Sequence, residues 1–250
     1  IGTGENYSSP ADGNSDAIIA LDAATGKRVW QTQLTGGDAW NVGCMMGNEA
    51  CPDEHGPDYD LSASPILVQL GGGKDIIVAG QKSGVAFGID PETGKIGWSQ
   101  RLGHGGTQGG VHFGMAASGS TVFVPIVDMA DTHDERVYDK AQNGAGIHAI
   151  DAATGRILWR QHATASCEGC DPGVSAAATA IPGAVLAGHL DGWFRAYDEK
   201  DGHVLWSFDT KVPVTSITGS IAKGGSMSGP GAAVYGGYMV FSSGYGMYYH

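Results

Sequence analysis

The 250-residue chain has no apolar run near the ~20 residues that a membrane-crossing helix needs. It is also short of positive charge: 14 Lys and Arg stand against 26 Asp and Glu, a net charge of −12. That balance argues against nucleic acid, whose phosphates are neutralised by Lys and Arg, and against anionic membrane surfaces. No stretch reads as a helix of any length, because apolar residues do not recur at helical spacing. Cysteine is scarce, with four in all. Cys44 and Cys51 form one close pair and Cys167 and Cys170 another, "CEGC", each in a loop rich in Gly, Asp and Glu. Two local disulfides in an exported protein, periplasmic or secreted, is the first reading. A four-thiolate zinc site is the rival, although one pair has the wrong spacing for a ribbon. No helical pattern follows "CEGC", which weakens a thioredoxin-like redox role. "CEGCD" also lacks the His of covalent haem attachment.

Glycine is abundant, at 42 residues. It shows no Gly-X-Y period, so collagen is excluded, and its spread among short apolar runs implies many tight turns. Apolar residues make up 42% of the chain, enough for a sizeable core. Self-comparison then organises the sequence. "ALDAATGKRVW" ends at Trp30, "GIDPETGKIGW" at Trp98, "AIDAATGRILW" at Trp159 and "AYDEKDGHVLW" at Trp206. Each copy has an Asp, then Thr-Gly or Asp-Gly, then a Trp at a fixed distance. Asp22 can bond backbone amides ahead of it and Gly26 can supply positive φ, so the segment turns between two short strands. One unit cannot bury its Trp alone; neighbouring units must stack to do so.

Further runs complete the units. "SPILVQL", "KDIIVAGQK", "GVAFGID" and "KIGWSQR" predict four antiparallel strands from Ser64 to Arg101. "GGGK", Gly71 to Lys74, lacks the spacing and the helix of a phosphate loop and reads as a hairpin. "STVFVPIVD", "GAGIHAID" and "RILWRQH" make the next unit, and "AVLAGHL", "GWFRAYD" and "HVLWSFD" the one after. The chain opens in the second half of a unit and stops in the first half of another, at "YMVFSSGYGMYYH". The expectation is an all-β, single partial β-propeller domain over residues 1–250, with about four blade equivalents. "IGTGENY" reads as the inside of a strand, so a portion of a longer mature chain is expected.

At these residues the sequence resembles a family. The A-x-D-x-x-T-G-x-x-x-W repeat is similar to the tryptophan-docking motif of the quinoprotein alcohol dehydrogenases, eight-bladed propellers that carry pyrroloquinoline quinone (PQQ) and a metal on their axis. "GDAWNVGC", "CPDEHGPDYDLSASPIL", "AGQKSGVAFGIDPETGK", "GHLDGWFRAYD" and "GGSMSGPGAAVYGGYMVFSSGYG" resemble the branch that oxidises polyvinyl alcohol. The resemblance covers the chain but only about half of a family propeller. The repeat alone is shared with non-catalytic propellers such as the outer-membrane assembly lipoprotein, so only site residues separate enzyme from scaffold.

Asp58 and Asp60 in "GPDYDLSASPIL" are the first candidates. In a strand both would point to one face. Their bland reading is a pair of solvated loop acids. The resemblance puts Asp58 at the base position, where a carboxylate removes the alcohol proton as hydride leaves carbon. It puts Asp60 where the lanthanide-using branch adds a ligand; hard cations take oxygen ligands, and higher charge rewards another carboxylate. Asn41, after Trp40, cannot act as a base. On that reading the insertion through "CMMGNEACPDEH" splits one ancestral loop, the Cys44–Cys51 pair braces it, and Asp38 is the fallback base. Lys82 in "GQKSG" is either a snorkelling surface lysine or, by resemblance, the cation beside the quinone oxygens that steadies developing negative charge and keeps Asp58 ionised. Glu5 stands where the family's "GTGN" has a metal-binding Asn, and Asn6 follows; the alternative is a plain turn. His112 and Phe113 in "GGVHFGMA" align with a stretch near the cofactor edge, or simply start a strand. His104, His148 and His189 carry no assigned role.

The leading expectation is therefore a PQQ-dependent alcohol oxidoreductase using Ca²⁺ or a lanthanide, with an alcohol substrate and a cytochrome c acceptor that is separate or lies on further sequence. The opposing one is a propeller scaffold that binds partner proteins without a cofactor. The family's other metal-binding Glu, its vicinal disulfide and its stacking Trp lie upstream of "IGTG". An open array also exposes two sheet faces, so closure by further sequence or a second chain is expected.

Overall fold

The structure, a computed structural model, describes residues 1–129, 144–164, 166, 170 and 172–244. A two-stranded sheet comes first: β1 (Ala17–Leu21) pairs antiparallel with β2 (Arg28–Gln33). After the short helix α1 (Val42–Met46) come three four-stranded antiparallel sheets in sequence order. The first holds β3 (Ile66–Gly71), β4 (Lys74–Gly80), β5 (Val85–Ile89) and β6 (Ile96–Arg101). The second holds β7 (Ala116–Ser118), β8 (Thr121–Ile126), β9 (Gly146–Asp151) and β10 (Ile157–His162). The third holds β11 (Thr179–Ile181), β12 (Ala184–Gly188), β13 (Trp193–Asp198) and β14 (Val204–Asp209). A ribbon of β15 (Val214–Thr215) and β16 (Ile221–Ala222) follows, then β17 (Ala233–Tyr235) paired with β18 (Tyr238–Val240). The sheets are blades of a β-propeller. Their first strands β3, β7 and β11 approach one another, which makes them the inner strands.

The blades stack face to face, and that explains their composition. β8, β9 and β12 lie between neighbours and are apolar and buried almost throughout, as strands covered on both faces must be. Val68, Val78, Val122, Val124 and Ile150 fill the first seam between four-stranded sheets. Phe123, Ile147, Val185 and Tyr197 fill the second.

The repeated motif works as one joint. Asp22 Oδ1 accepts from Thr25 N and Oγ1 at 2.8 and 2.6 Å, and Asp151 does the same with Thr154 at 2.9 and 2.7 Å. The Gly of each turn has positive φ, 69° at Gly26 and 72° at Gly155, where a side chain is disfavoured. Three of the four Trp then dock on the next blade's turn. Trp30 Nε1 donates to Pro91 O at 2.9 Å, Trp98 Nε1 to Ala152 O at 3.0 Å and Trp159 Nε1 to Glu199 O at 3.0 Å. A Cβ on Gly155 would strike the Trp98 ring, so glycine there serves both the turn and the joint. Trp206 has no such turn against it among the described residues and is 43% exposed.

Helix α1 departs from the expectation of no helix. Asn41 caps it through Gly43 N, and Gly47 ends it in the left-handed region at φ 60°. Cys44 and Cys51 are disulfide-bonded across it, which removes the zinc alternative for this pair. Cys170 is disulfide-bonded as well, while Cys167 lies outside the described residues. Among the described residues no helix is long and apolar enough to cross a membrane.

Candidate functional site

Asp58, Asp60 and Lys82 meet at one end of the first four-stranded blade. Lys82 follows β4 in the turn to β5, and its backbone N–H donates to Asp60 O at 3.0 Å. Its Nζ donates to Asp58 Oδ1 at 2.7 Å and to Asp60 Oδ2 at 3.0 Å. Lys82 is only 6% exposed and Asp58 only 2%, so the lysine is no surface side chain. Strand alternation is not what aligns the two acids. Their segment is irregular up to Ile66, and Asp58 sits at φ 58°. Asp38 imposes that turn: its buried carboxylate accepts from Asp58 N at 3.2 Å and Tyr59 N at 2.8 Å. The fallback base is thus a backbone clamp.

Glu5 completes the group. Its N–H donates to Asp60 Oδ1 at 3.2 Å, an approach that Gly4 permits, since a Cβ there would strike the Asp60 carboxylate. One oxygen each from Glu5, Asp58 and Asp60 lies within 4.8 Å of the others. Asn6 is committed elsewhere, its Oδ1 accepting from Asp12 N at 3.0 Å. Asn41 holds the α1 loop, donating to Tyr7 O and Ala50 O at 2.9 and 2.7 Å.

Electrostatics follow from crowding several acids around one ammonium. Burial pushes Asp58 up to about 7, with the adjacent Lys82 holding it from going higher. Burial also pushes Glu5 up, and Asp60 adds to that. Asp60 moves down: burial opposes its ionisation, but the hydrogen bond from Glu5 and the Lys82 charge prevail. Burial pulls Lys82 down, yet Asp58 and Asp60 outweigh it and the ammonium is held above its ordinary range.

His112 lies beyond this group. Burial and then the Lys82 charge lower it to about 4, so its ring is neutral. Its Nδ1 is 3.0 Å from Ser175 Oγ. The Phe113 ring sits 4.3 Å from it, tilted by 41°, and Phe113 is 43% exposed. The three unassigned histidines are bound within the fold. His104 Nδ1 is 3.1 Å from Asp128 Oδ2, His148 Nε2 is 2.6 Å from Gly144 O, and His189 Nε2 is 2.7 Å from Tyr197 OH. Sequence reasoning missed Asp16, which is fully buried beside Asp38 with no donor for either oxygen among the described residues. An Asp just before a strand carries the signature of an ordinary turn, so no pattern marks it.

Residues 14–128 and 82–246 match the repeat family PQQ_2, described as outer membrane protein assembly factor BamB. A polyvinylalcohol dehydrogenase of Pseudomonas sp is 38% identical over 98% of this chain and 38% of its own length. Another, from Sphingopyxis sp. (strain 113P3), is 35% identical over 98% of this chain and again 38% of its own. The chain thus spans well under half the length of these relatives. Among solved structures, the quinohemoprotein alcohol dehydrogenase from Comamonas testosteroni aligns over 90% of this chain and 38% of its own, at a TM-score of 0.55 and 18% identity, a likeness of fold. Three matched Trp joints, the stacked blades and a repeat match along nearly the whole length have one reading: this chain belongs to the PQQ_2 repeat family of β-propellers, and it is similar over that length to polyvinylalcohol dehydrogenases.

Proposed function

We propose that residues 1–250 form one partial propeller domain carrying the base and cation side of a PQQ-dependent alcohol dehydrogenase site. The observation that carries this reading is the buried Asp58–Lys82–Asp60 group with Glu5 against it. Its donor set suits a hard cation: three carboxyl oxygens already lie within one coordination sphere's reach. Glu5, Asp58 and Asp60 would hold Ca²⁺ or a lanthanide, and the additional acid favours the higher charge. Lys82, His112 and Phe113 would line the PQQ edge. PQQ, when bound, supplies the acceptor for hydride from the alcohol carbon.

The chain's own residues do the rest. Asp58 takes the hydroxyl proton, a role for which an acid near 7 is well matched. Lys82 keeps Asp58 aimed through a 2.7 Å bond and offers positive charge to an oxygen that gains electron density. Asp38 holds the Asp58 backbone from below, so the base cannot swing away. The remaining contacts would come from the rest of a longer protein or from a second chain. Primary and secondary alcohols, including polyvinyl-alcohol-like ones, are the substrate class, and a cytochrome c in the periplasm or outside the cell is the acceptor. The disulfide and the named relatives support that setting.

The full-length protein, supplied with PQQ and either Ca²⁺ or La³⁺, should reduce a dye with secondary alcohols. Asp58→Asn should lower kcat/KM by about 10²–10⁴-fold. An active Asp58→Asn variant would remove the base assignment. A wild-type protein silent with every metal would favour the second reading, a partner-binding scaffold; the BamB description of the matched repeat and the Glu5 and Asn41 departures are what favour it.

A further inference from the structure

A polar side chain recurs just ahead of β3, β7, β11 and β17. Ser62 precedes β3, His112 precedes β7, Ser175 precedes β11 and Ser228 precedes β17. They are hydrogen-bonded in series across the blades. Ser62 Oγ donates to His112 O at 2.7 Å, His112 Nδ1 meets Ser175 Oγ at 3.0 Å, and Ser175 Oγ meets Ser228 Oγ at 3.0 Å. Ser175 is fully buried, so these two partners, not water, satisfy its hydroxyl. His112 Nε2 has no hydrogen-bond partner among the described residues. The ring is neutral, and a neutral imidazole keeps one proton, on whichever nitrogen its surroundings select. A serine hydroxyl can donate to Nδ1 or accept from it, so the clasp holds the ring in place and the groups around it select which nitrogen keeps the proton.

We infer that Ser175 is a positioning residue: from the neighbouring blade its hydroxyl holds the ring plane of His112, and with it the surroundings that select the tautomer, so that Nε2 meets the cofactor or substrate in one state. The inference rests on the PQQ-dehydrogenase reading and assigns to it a residue remote in sequence from the Asp58 group. A purely structural staple between blades would hold the blades together without any bearing on the imidazole proton.

Ring ¹⁵N spectra of the full-length protein with labelled histidine, recorded without cofactor, separate the two. In Ser175→Ala the His112 ring should pass from one tautomer to a mixture. Ser175→Thr, which keeps the hydroxyl, should restore it. Ser228→Ala should move it the same way by less, and it is the readout if Ser175→Ala does not fold. With PQQ and Ca²⁺, Ser175→Ala should lower kcat/KM about tenfold, His112→Ala at least as much, and the double variant no further. An unchanged ring in both alanine variants overturns the inference; so does a mixed ring with unchanged kcat/KM, or losses that add in the double variant. An inactive wild-type protein would instead fell the parent reading, and the ring spectra would still decide whether Ser175 sets the state of His112.

Discussion

Asp16 is buried, without a donor for either oxygen among the described residues, at a backbone φ of 46°, next to the carboxylate of Asp38. Burial first, and Asp38 second, push its pKa above the ordinary 3.8. The fold thus retains a proton that the unfolded chain releases. The stability tied to Asp16 is full below its unfolded pKa and is lost as pH rises through the folded one. Asp16→Asn should therefore stabilise the protein by on the order of 1 kcal/mol at about pH 8.5 and far less at about pH 4.5, as read from urea unfolding in chelator. An equal effect at both pH values would refute the account. The contrast with Asp58 and Lys82 shows what the sequence made legible. Resemblance to family segments singled that pair out, and the structure brings the two side chains to 2.7 Å of each other. Its geometry was not legible: a left-handed Asp58 held by Asp38, rather than strand alternation, brings the acids together. Ser175 was invisible for another reason, since its partner lies 63 positions away and "GVSAAAT" carries no local signal.

Among the elements, the tryptophan joints carry the seams between blades. Trp98 packs on the Gly155 turn and donates to Ala152 O, whereas Trp206 meets Phe208 in a stack at 6.0 Å and stays half open to solvent. Trp98→Ala should cost about 3–5 kcal/mol; Trp206→Ala should cost under about 1 kcal/mol. Urea unfolding of both variants in this 250-residue chain tests the difference, and equal losses would show that docking is not what makes these residues matter. The blades were legible because their joint repeats with its Asp, Gly and Trp in register. Helix α1 was not, because one turn of helix leaves no periodicity; its cap and its disulfide shape it. The ribbon β15–β16 escaped for the same reason, its two-residue strands being set by a tight turn in which Gly219 N donates to Ser216 O at 2.9 Å.

Taken as a whole, the array has two unlike end faces. On one, the Gly26 turn has nothing within 4 Å of where a Cβ would stand. On the other, Val204, Leu205, Trp206 and Phe208 are 42–50% exposed. These are the two halves of the joint that recurs inside the array, so each should take a further unit, of the same longer protein or of a second copy, and a 250-residue chain tested alone should supply it head to tail. Its charge of −12 opposes the approach of copies, so association should strengthen with salt. Sedimentation velocity across a concentration series checks this. Trp206→Glu should weaken it, and an unaltered series would place the contact elsewhere. A tongue on one side and a slot on the other give the stack a direction, much like floorboards. Such a joint carries no instruction about how many boards to lay. Whether the row bends round to meet its own beginning or runs on is left to the small wedge angle between one board and the next.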